Sequence, residues 1–312
     1  MRALITGMSG FVGRHLAERL HREPGLEVIG ASRADCDLRD ASAVRAIVAD
    51  ARPDYVFHLA AQTSVAASFE APGETITNNV LCTLNVLEAV RGLGLDATIL
   101  LAGSSEVYGR VLPDELPIRE SNPLRPLTPY AVSKVATEAL GAQYFHGHGM
   151  RVICTRTFNH SGPGRADRFM ETSFAKQIAE IEAGLAPPVL RVGNLEARRD
   201  FTDVRDIARA YWLAVTRGEP GAVYNVGYGR SWAIQEVLDT LLDMARVKVT
   251  VEVDPARLRP ADVKTVEVDA ILFRERTGWA PEIPFEQSLR DVLDDLRARV
   301  SRGTMEASGT SK

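Results

Sequence analysis

Short, nearly continuous apolar runs alternate along this chain with stretches whose apolar residues recur at helical spacing. The apolar runs predict six strands: RALIT (2–6), LEVIGA (26–31), YVFHLA (55–60), ATILLAG (97–103), RVICTRT (151–157) and VYNVG (223–227). Amphipathic segments lie between most of them, at 11–22, 40–50, 73–93, 129–148 and 205–217. Strands without polar alternation, separated by helices, are typical of a parallel sheet covered on both faces. The pattern therefore predicts an α/β fold with a doubly wound parallel sheet.

The pattern becomes looser after residue 160, where glycine and proline are frequent, as in SGPGR (161–165) and GLAPP (184–188). Short strands mixed with helices follow, which predicts a smaller, mixed α/β C-terminal lobe over 161–300 that binds the substrate. We expect late elements such as 200–230 to return to the sheet domain of 1–160. The final segment, 301–312, is predicted to be a disordered tail.

The composition is that of a globular protein, with 312 residues, 45% of them hydrophobic, and a formal net charge of −4. This mild acidity favours neither nucleic acid nor an anionic membrane surface, and no apolar run approaches the roughly 20 residues of a membrane-spanning helix. Cys36, Cys82 and Cys154 include no CxxC pair and are expected to be reduced thiols. Because the first apolar run is too short for a signal peptide, we expect a cytoplasmic protein.

The first strand leads into a glycine-rich turn, in which Gly7, Gly10 and Gly13 are spaced as G-x-x-G-x-x-G. Glycine lets a backbone turn tightly and approach a pyrophosphate, while the N-terminus of the next helix offers N–H donors and a positive dipole end. The turn, with Phe11 and Val12 at the start of the helix, therefore predicts a dinucleotide site on a Rossmann-type domain.

The end of the second strand bears on the choice of dinucleotide. Sites for NAD usually carry Asp or Glu there, which accepts from the ribose 2′-hydroxyl. This chain has Ser32 and Arg33 instead, and these suit a 2′-phosphate. We therefore expect NADP(H) to be favoured, with NAD(H) as the alternative.

The segment TPYAVSK (128–134) contains the first lysine of the chain, four residues after a tyrosine. Thr128 can cap a helix and Pro129 suits its first turn, so Tyr130 and Lys134 should lie at i and i+4 on one face. A nearby ammonium favours the phenolate, and we expect Lys134 to lower the pKa of Tyr130 from its usual value of about 10. The pair then predicts acid–base chemistry, with the ammonium also holding the ribose of a nicotinamide nucleotide.

A third participant is expected at the carboxyl end of the fourth strand, where open α/β sheets place their sites. The chain there reads SSEVYG (104–109). Ser104 can hydrogen-bond a substrate carbonyl, and Glu106 can act as a carboxylate base. No set of histidines has metal-ligand spacing, so the sequence predicts no metal site.

Together these motifs resemble the extended branch of the short-chain dehydrogenases/reductases, whose members act on nucleotide sugars. The resemblance covers nearly the whole chain, through TGMSGFVG, DLRD, HLAA, NNVLCTLNVLEA, SSEVYG, PYAVSK, RDFTDVRD and YNVG. It implies that Ser104, Tyr130 and Lys134 are the catalytic set. It also implies cofactor contacts, with His58 and Asn78 as supports. Asp37 and Leu38 would contact adenine; the other cofactor contacts are Leu59, Ala60, Ala61 and Asn79.

Two further segments, RTFNHSGPGR (156–165) and VGNLEARRDFTDVRDI (192–207), are similar to those of the GDP-mannose branch of that family. The resemblance is strongest to its reductases, and implies reduction of the C4 keto group of GDP-4-keto-6-deoxy-D-mannose to GDP-D-rhamnose. The expected substrate contacts are Ser104, Ser105, Glu106, Asn159, Lys176, Val192, Arg199, Arg259 and Asp262.

Other activities remain open at this point. In a GDP-mannose 4,6-dehydratase, Glu106 would take the C5 proton after oxidation at C4, water would leave from C6, and the hydride would then return to C6. A 4-epimerase could use the same catalytic set, and a non-catalytic dinucleotide sensor is a further hypothesis. The resemblance also implies a homodimer in which helices 73–93 and 129–148 of two subunits form a four-helix bundle.

Overall fold

The computed structural model describes residues 1–32, 35–257 and 264–309, and in the last helix it describes side chains up to residue 303. The chain divides into two compact units. The first comprises Met1–Phe158, Val204–Tyr228 and Val268–Ala280, and the second comprises Asn159–Asp203, Gly229–Glu267 and Pro281–Lys312. Within the described ranges, no helix has the length and apolar character that crossing a bilayer requires.

The strands, in chain order, are β1 (Arg2–Thr6), β2 (Glu27–Ala31), β3 (Tyr55–His58), β4 (Thr98–Ala102), β5 (Val152–Thr157), β6 (Asn159–Ser161), β7 (Val189–Val192), β8 (Arg198–Asp203), β9 (Val223–Val226), β10 (Ser231–Ala233) and β11 (Thr250–Val253). The helices are α1 (Phe11–Leu20), α2 (Ala41–Ala51), α3 (Val65–Glu70), α4 (Pro72–Gly92), α5 (Pro129–His148), α6 (Met170–Glu182), α7 (Val204–Arg217), α8 (Ile234–Asp243), α9 (Ile271–Thr277) and α10 (Phe285–Gly309). Short 3-10 helices occur at Ser105–Tyr108, Pro113–Glu115 and Pro255–Arg257.

A six-stranded parallel sheet forms the centre of the first unit, in the order β2-β1-β3-β4-β5-β9. These are the six strands that the apolar runs predict, so the doubly wound parallel sheet is confirmed. Thr6, at the end of β1, lies beside Ala31 of β2 and His58 of β3. The carboxyl ends of the strands therefore meet along one edge, where α/β proteins place their ligands.

Both faces of this sheet are covered, which explains why its strands lack polar alternation. Ala3 and Ile5 of β1 belong to the apolar cluster that contains α1 and α7. Leu4, between them, belongs to the cluster on the other face, which contains α2 and α4. Helix α5 adds Tyr144 to that second cluster, so α4 and α5 lie on the same face.

The second unit is mixed α/β. It contains the small sheet β10-β8-β6, in which β8 is antiparallel to β10 and parallel to β6, and the parallel pair β11-β7. Phe201 of β8 stacks on Phe285 at the start of α10, with ring centroids 4.9 Å apart. That this unit binds the substrate stays a prediction.

Helix α10 continues through 301–309, where the sequence analysis predicts a disordered tail. Local pairing stabilises the helix as far as the start of this segment: Arg299 pairs with Asp295, and the Ser301 hydroxyl donates to the Arg297 carbonyl at 2.9 Å. These i, i+4 contacts help to hold a helix that the composition of the segment does not reveal.

Candidate active site

The glycine turn lies at the carboxyl end of β1 and holds three close backbone approaches. Gly7 has φ +74° and donates to the Ala31 carbonyl at 2.9 Å. A Cβ on Gly7 would lie 2.9 Å from the Ala60 nitrogen, and one on Gly13 would lie 2.3 Å from the Gly7 oxygen. Side chains at these positions would collide with the neighbouring backbone, so only glycine allows this tight turn.

Helix α1 begins directly after this turn. Gly10 is its N-cap residue and supplies no side-chain capping bond, so backbone N–H groups face the turn at the positive end of the helix. Phe11 and Val12 form the first turn of α1, and Val12 packs against the apolar cluster of α1 and α7. The turn fits the pyrophosphate of a dinucleotide, as predicted from the glycine spacing.

At the end of β2, Ser32 is bonded to a carboxylate that the sequence analysis missed. The backbone N–H and the hydroxyl of Ser32 both donate to Asp35 Oδ2, at 2.8 and 2.6 Å. These two hydrogen bonds lower the pKa of Asp35. The available signal was a carboxylate four residues beyond the end of the strand. Arg33, the predicted partner of a 2′-phosphate, lies outside the described residues.

The predicted adenine contacts that follow β2 are engaged with neighbouring groups. Asp37 accepts a bidentate pair from Arg39, with Oδ–N distances of 3.0 and 2.6 Å. Leu38 is buried in the core, and its carbonyl accepts from Asn85 Nδ2 at 2.9 Å. Their contacts with adenine stay predictions.

The segment after β3 approaches the glycine turn. The N–H of Leu59 donates to the Thr6 carbonyl at 3.2 Å, and that of Ala60 donates to Thr6 Oγ1 at 3.4 Å. Leu59 packs against one apolar cluster, Ala60 packs against the other, and Ala61 is half-buried. This backbone therefore borders the turn, in keeping with the predicted cofactor contacts.

Asn79 of α4 ties that segment to the helix that carries Tyr130. Its Oδ1 accepts from the Gln62 N–H at 2.8 Å, and its Nδ2 donates to the Gln62 carbonyl at 3.0 Å and to Ser133 Oγ at 2.8 Å. Ser133 Oγ in turn donates to the Tyr130 carbonyl at 2.7 Å. Both N–H groups of Asn79 are thus used within the protein, as a support between the loop and α5. The sequence analysis did not single out Gln62 or Ser133.

His58 is buried among hydroxyls beneath this segment. Its Nδ1 lies 2.8 Å from Thr6 Oγ1 and its Nε2 lies 3.1 Å from Thr83 Oγ1. Thr83 uses its one hydroxyl proton toward the Asn79 carbonyl, so His58 Nε2 must carry the hydrogen that Thr83 accepts. Burial, together with the charge of Lys134, lowers the pKa of His58 to about 3. His58 is therefore a neutral support, as predicted.

Asn78, the other predicted support, is half-buried on α4 and donates to Glu74 Oε1 at 3.5 Å, a long contact within its own helix. This contact does not connect α4 to another segment, whereas Asn79 bridges the loop at Gln62 and helix α5.

Ser104, Tyr130 and Lys134 come together at the carboxyl end of β4. The Thr128 hydroxyl accepts from the Ala131 N–H at 3.0 Å and caps α5, with Pro129 at its first position, as the sequence predicts. The Lys134 ammonium donates to the Ala102 carbonyl at 2.7 Å and lies 5.9 Å from the centroid of the Tyr130 ring. Tyr130 and Lys134 are both buried, and a hydrogen bond joins Tyr130 to Ser104.

The pKa of Tyr130 corrects one expectation. Burial raises it well above the usual value; the hydrogen bond to Ser104 opposes the change, and the charge of Glu106 adds to it. The predicted lowering by Lys134 is wrong, because burial of the phenolate dominates this pKa and the groups that shift it do not include Lys134. The ammonium is itself buried, and this lowers the pKa of Lys134 to about 8.

The 3-10 helix Ser105–Tyr108 follows Ser104, which caps it by accepting from the Glu106 N–H at 3.3 Å. Ser105 is half-buried and Glu106 is exposed. Glu106 lies close enough to Tyr130 to influence its pKa. A carboxylate thus accompanies the three catalytic candidates, and the set can donate, accept or hold a proton at a carbonyl oxygen.

The predicted substrate contacts after β5 belong to the second unit. Asn159 is half-buried on β6, and Val192 is fully buried on β7. Lys176 is paired with Asp167 at 2.6 Å, and Arg199 Nη1 donates to the Arg198 carbonyl at 2.8 Å. Their roles stay predictions, and Arg259 and Asp262 lie outside the described residues.

Comparisons with known proteins agree on one family. The family model described as GDP-mannose 4,6 dehydratase matches residues 32–292. The chain is 40% identical to a GDP-6-deoxy-D-mannose reductase of Pseudomonas aeruginosa, over 96% of this chain and 98% of that protein. It is 31% identical to a GDP-mannose 4,6-dehydratase of Vibrio cholerae, over 98% and 96% of the two chains.

Solved structures give the same result. The fold matches that of RMD from Pseudomonas aeruginosa complexed with NADPH, with a TM-score of 0.90, 39% identity, and coverage of 96% of this chain and 99% of that one. It also matches a Thermus thermophilus UDP-glucose 4-epimerase in complex with NAD, with a TM-score of 0.83, 32% identity, and coverage of 95% and 99%. With its glycine turn and its Ser104, Tyr130 and Lys134 set, the chain belongs to the GDP-mannose 4,6-dehydratase family of extended short-chain dehydrogenases/reductases.

Proposed function

We propose that the protein reduces the C4 keto group of GDP-4-keto-6-deoxy-D-mannose to GDP-D-rhamnose, with NADPH as the favoured reductant. The observation that carries the proposal is the buried Tyr130 hydroxyl, bonded to Ser104 and with its pKa raised. Such a group is protonated at neutral pH, and reduction of a ketone needs a proton donor beside the oxygen. The 40% identity to a GDP-6-deoxy-D-mannose reductase supports the choice of sugar.

Ser104, Tyr130 and Lys134 can each have a separate role in this reduction. A bound nicotinamide supplies the hydride to C4. Ser104 and Tyr130 donate hydrogen bonds to the keto oxygen, and Tyr130 passes its proton to that oxygen as the C=O bond becomes a C–OH. Lys134, one turn further along α5, stabilises the phenolate that remains until a proton returns from solvent.

The dinucleotide would be held by the groups that border the glycine turn. Backbone N–H groups in the first turn of α1 would bind the pyrophosphate, and Lys134 would bind the ribose. NADP(H) is favoured by the absence of Asp or Glu directly at the end of β2 and by the NADPH complex of the similar structure. NAD(H) stays the alternative, because Asp35 lies beside Ser32 and the epimerase structure contains NAD.

A dehydratase is the second candidate, and Glu106 is the observation that favours it. The carboxylate lies at the end of β4 near Tyr130, where it could take the C5 proton, and dehydratases are among the 31%-identical relatives. However, that reaction begins with oxidation at C4, for which Tyr130 must accept a proton. Reduction, however, leaves the same phenolate that this oxidation needs, so the pKa of Tyr130 does not separate the two reactions; the 40% identity to a reductase, against 31% to a dehydratase, favours reduction. A 4-epimerase would use the same catalytic set.

The two reactions differ in their use of cofactor. With GDP-4-keto-6-deoxy-D-mannose, the protein is expected to consume one NADPH per sugar reduced, and with GDP-mannose it should neither consume NADPH nor form a keto sugar. Formation of a keto sugar from GDP-mannose without net cofactor consumption would establish the dehydratase. No response to either sugar would mean that the substrate assignment is wrong.

Replacing Gly13 by alanine should weaken NADPH binding by about tenfold or more, because the new Cβ would lie 2.3 Å from the Gly7 oxygen and force α1 away from the turn. Titration of NADPH fluorescence measures the dissociation constant. The control is Gly73→Ala on α4, where a Cβ meets nothing within 4 Å, and its dissociation constant should match the wild type. Equal affinity of Gly13→Ala and wild type would contradict this assignment of the turn.

We also propose that the protein acts as a cytoplasmic homodimer through a bundle of α4 and α5 from two subunits. Among the apolar residues of these helices, Leu87 is buried in the core, whereas Val80 and Val135 are only partly covered. Ile76 and Val132 are 38% and 43% exposed, which leaves apolar surface for a partner. Sedimentation showing a monomer at micromolar concentration would contradict the dimer.

A further inference from the structure

Arg156 of β5 is a buried charge that the proposed reaction does not use. Its side chain is 7% exposed and that of Glu138 is 13% exposed. The two form a bidentate pair, with Nε–Oε2 and Nη2–Oε1 distances of 2.8 and 2.6 Å. Burying such an ion pair costs desolvation free energy, so its position in the fold calls for a structural or functional reason.

The other side of the same guanidinium contacts the segment after Ser104. Nη1 donates to the Tyr108 hydroxyl at 2.8 Å and to the Glu120 carbonyl at 2.9 Å. The Tyr108 hydroxyl donates onward to Asn225 Oδ1 at 2.6 Å. Burial raises the pKa of Tyr108 to about 12, so that hydroxyl keeps its proton and can make both contacts.

These contacts join the two segments that carry the catalytic candidates. Glu138 lies at i+4 from Lys134 and i+8 from Tyr130, on the same side of α5. Tyr108 ends the 3-10 helix that Ser104 caps. The segments of Ser104 and Tyr130 are thus linked twice. The first link is the direct hydrogen bond between the two side chains, and the second runs through Glu138, Arg156 and Tyr108.

Close backbone packing also holds the end of β4 against β5, next to these contacts. A Cβ on Gly103, the residue before Ser104, would lie 2.2 Å from the Thr155 carbonyl, so the end of β4 rests directly on β5 next to Arg156. Arg156 thereby connects β5 with both α5 and the 3-10 helix. A shift of either segment would change the separation of the Ser104 and Tyr130 hydroxyls.

We propose that Arg156 is a positioning residue for the reduction: through Glu138 and Tyr108 it fixes the Ser104 and Tyr130 hydroxyls at the separation that a ketone oxygen needs. The proposal rests on the proposed function for the reaction it serves. A lysine at this position keeps the charge but cannot hold Glu138 and Tyr108 together, because it lacks the planar fork of donors.

The test compares Arg156→Lys with a matched pair elsewhere. Arg297 and Glu182 of the second unit form a similar bidentate pair, with Nε–Oε2 and Nη2–Oε1 distances of 2.7 Å and exposures of 15% and 8%. Arg156→Lys should lower kcat about tenfold or more, with KM for the sugar and the NADPH dissociation constant within about twofold of wild type, because misplacement of reacting groups acts on the chemical step. Arg297→Lys should lower the unfolding temperature comparably and leave kcat unchanged.

A second readout needs no substrate. Amide hydrogen exchange should become faster in 103–109 and in 128–135 of Arg156→Lys, and in neither segment of Arg297→Lys. Tyr108→Phe, which removes only the hydroxyl link, should reproduce the faster exchange in 103–109. If exchange in both segments stays at the wild-type rate, or if the two arginine variants lose kcat equally, Arg156 is only structural. An inactive wild type would instead reject the proposed substrate, while the exchange measurement would still decide the role of Arg156.

Discussion

Tyr130→Phe is expected to lower kcat for the reduction by about 10³-fold, within the usual range for removal of a general acid. Phenylalanine preserves the buried ring of Tyr130 and removes only the hydroxyl that is bonded to Ser104. NADPH binding, which the glycine turn and Lys134 would dominate, should change by no more than about threefold, or about 0.7 kcal/mol. Steady-state kinetics and NADPH titration of the purified variant measure both.

Tyr144→Phe is the control for this change. Tyr144 is also a buried tyrosine of α5, but its hydroxyl is bonded to Glu88 rather than to Ser104. Its loss should leave kcat within about twofold of wild type, since it removes one hydrogen bond remote from the catalytic set. A Tyr130→Phe variant that keeps more than a tenth of the wild-type kcat would show that another group donates the proton.

Lys134→Met should abolish most activity and yet leave the protein at least as stable at pH 7. Burial lowers the pKa of Lys134 from 10.5 to about 8, so the ammonium costs the folded state on the order of 3 kcal/mol. Methionine removes that cost, at the expense of the hydrogen bond to the Ala102 carbonyl, on the order of 1–3 kcal/mol. The activity should fall about 10²-fold or more, because the phenolate and the ribose lose their cation.

The pH dependence of this stability difference has a definite sign. Between about pH 8 and 10.5 the unfolded chain binds a proton at Lys134 that the folded chain does not. The free energy of unfolding of the wild type therefore rises with pH in this range. The advantage of Lys134→Met should therefore be largest below pH 8 and shrink toward pH 10.5. Chemical denaturation at several pH values measures it, with exposed Lys248→Met as a control that should show no trend. A variant clearly less stable than wild type at pH 7 would contradict the buried ammonium.

The fold and the position of the site follow from local sequence patterns. Apolar runs define all six strands of the central sheet, because strands covered on both faces cannot alternate. The glycine turn and the capped helix at Thr128 are also local features, in which spacing alone fixes which groups meet. Spacing therefore predicts that Tyr130 and Lys134 share one helix face, whereas Ser104 was added by its place at the end of the fourth strand and by the family resemblance.

What sequence could not supply depends on tertiary burial. The pKa of Tyr130 rises instead of falling, because desolvation is set by the packing around the hydroxyl and not by the spacing to Lys134. The pair between Arg156 and Glu138 joins residues 18 positions apart on different elements, so no periodicity reveals it. Likewise, Lys176 was predicted as a substrate contact, and its pairing with Asp167 appears only in the fold.

The most direct test of the central claim follows the hydrogen that reaches C4. NADPH carrying deuterium at its transferable position is incubated with the protein and GDP-4-keto-6-deoxy-D-mannose, and the sugar product is examined by mass spectrometry and NMR. Reduction at the Tyr130 site predicts one deuterium per product molecule, bonded to C4, at the expense of one NADPH. A product that lacks deuterium, or carries it at C6, would contradict the proposed reduction.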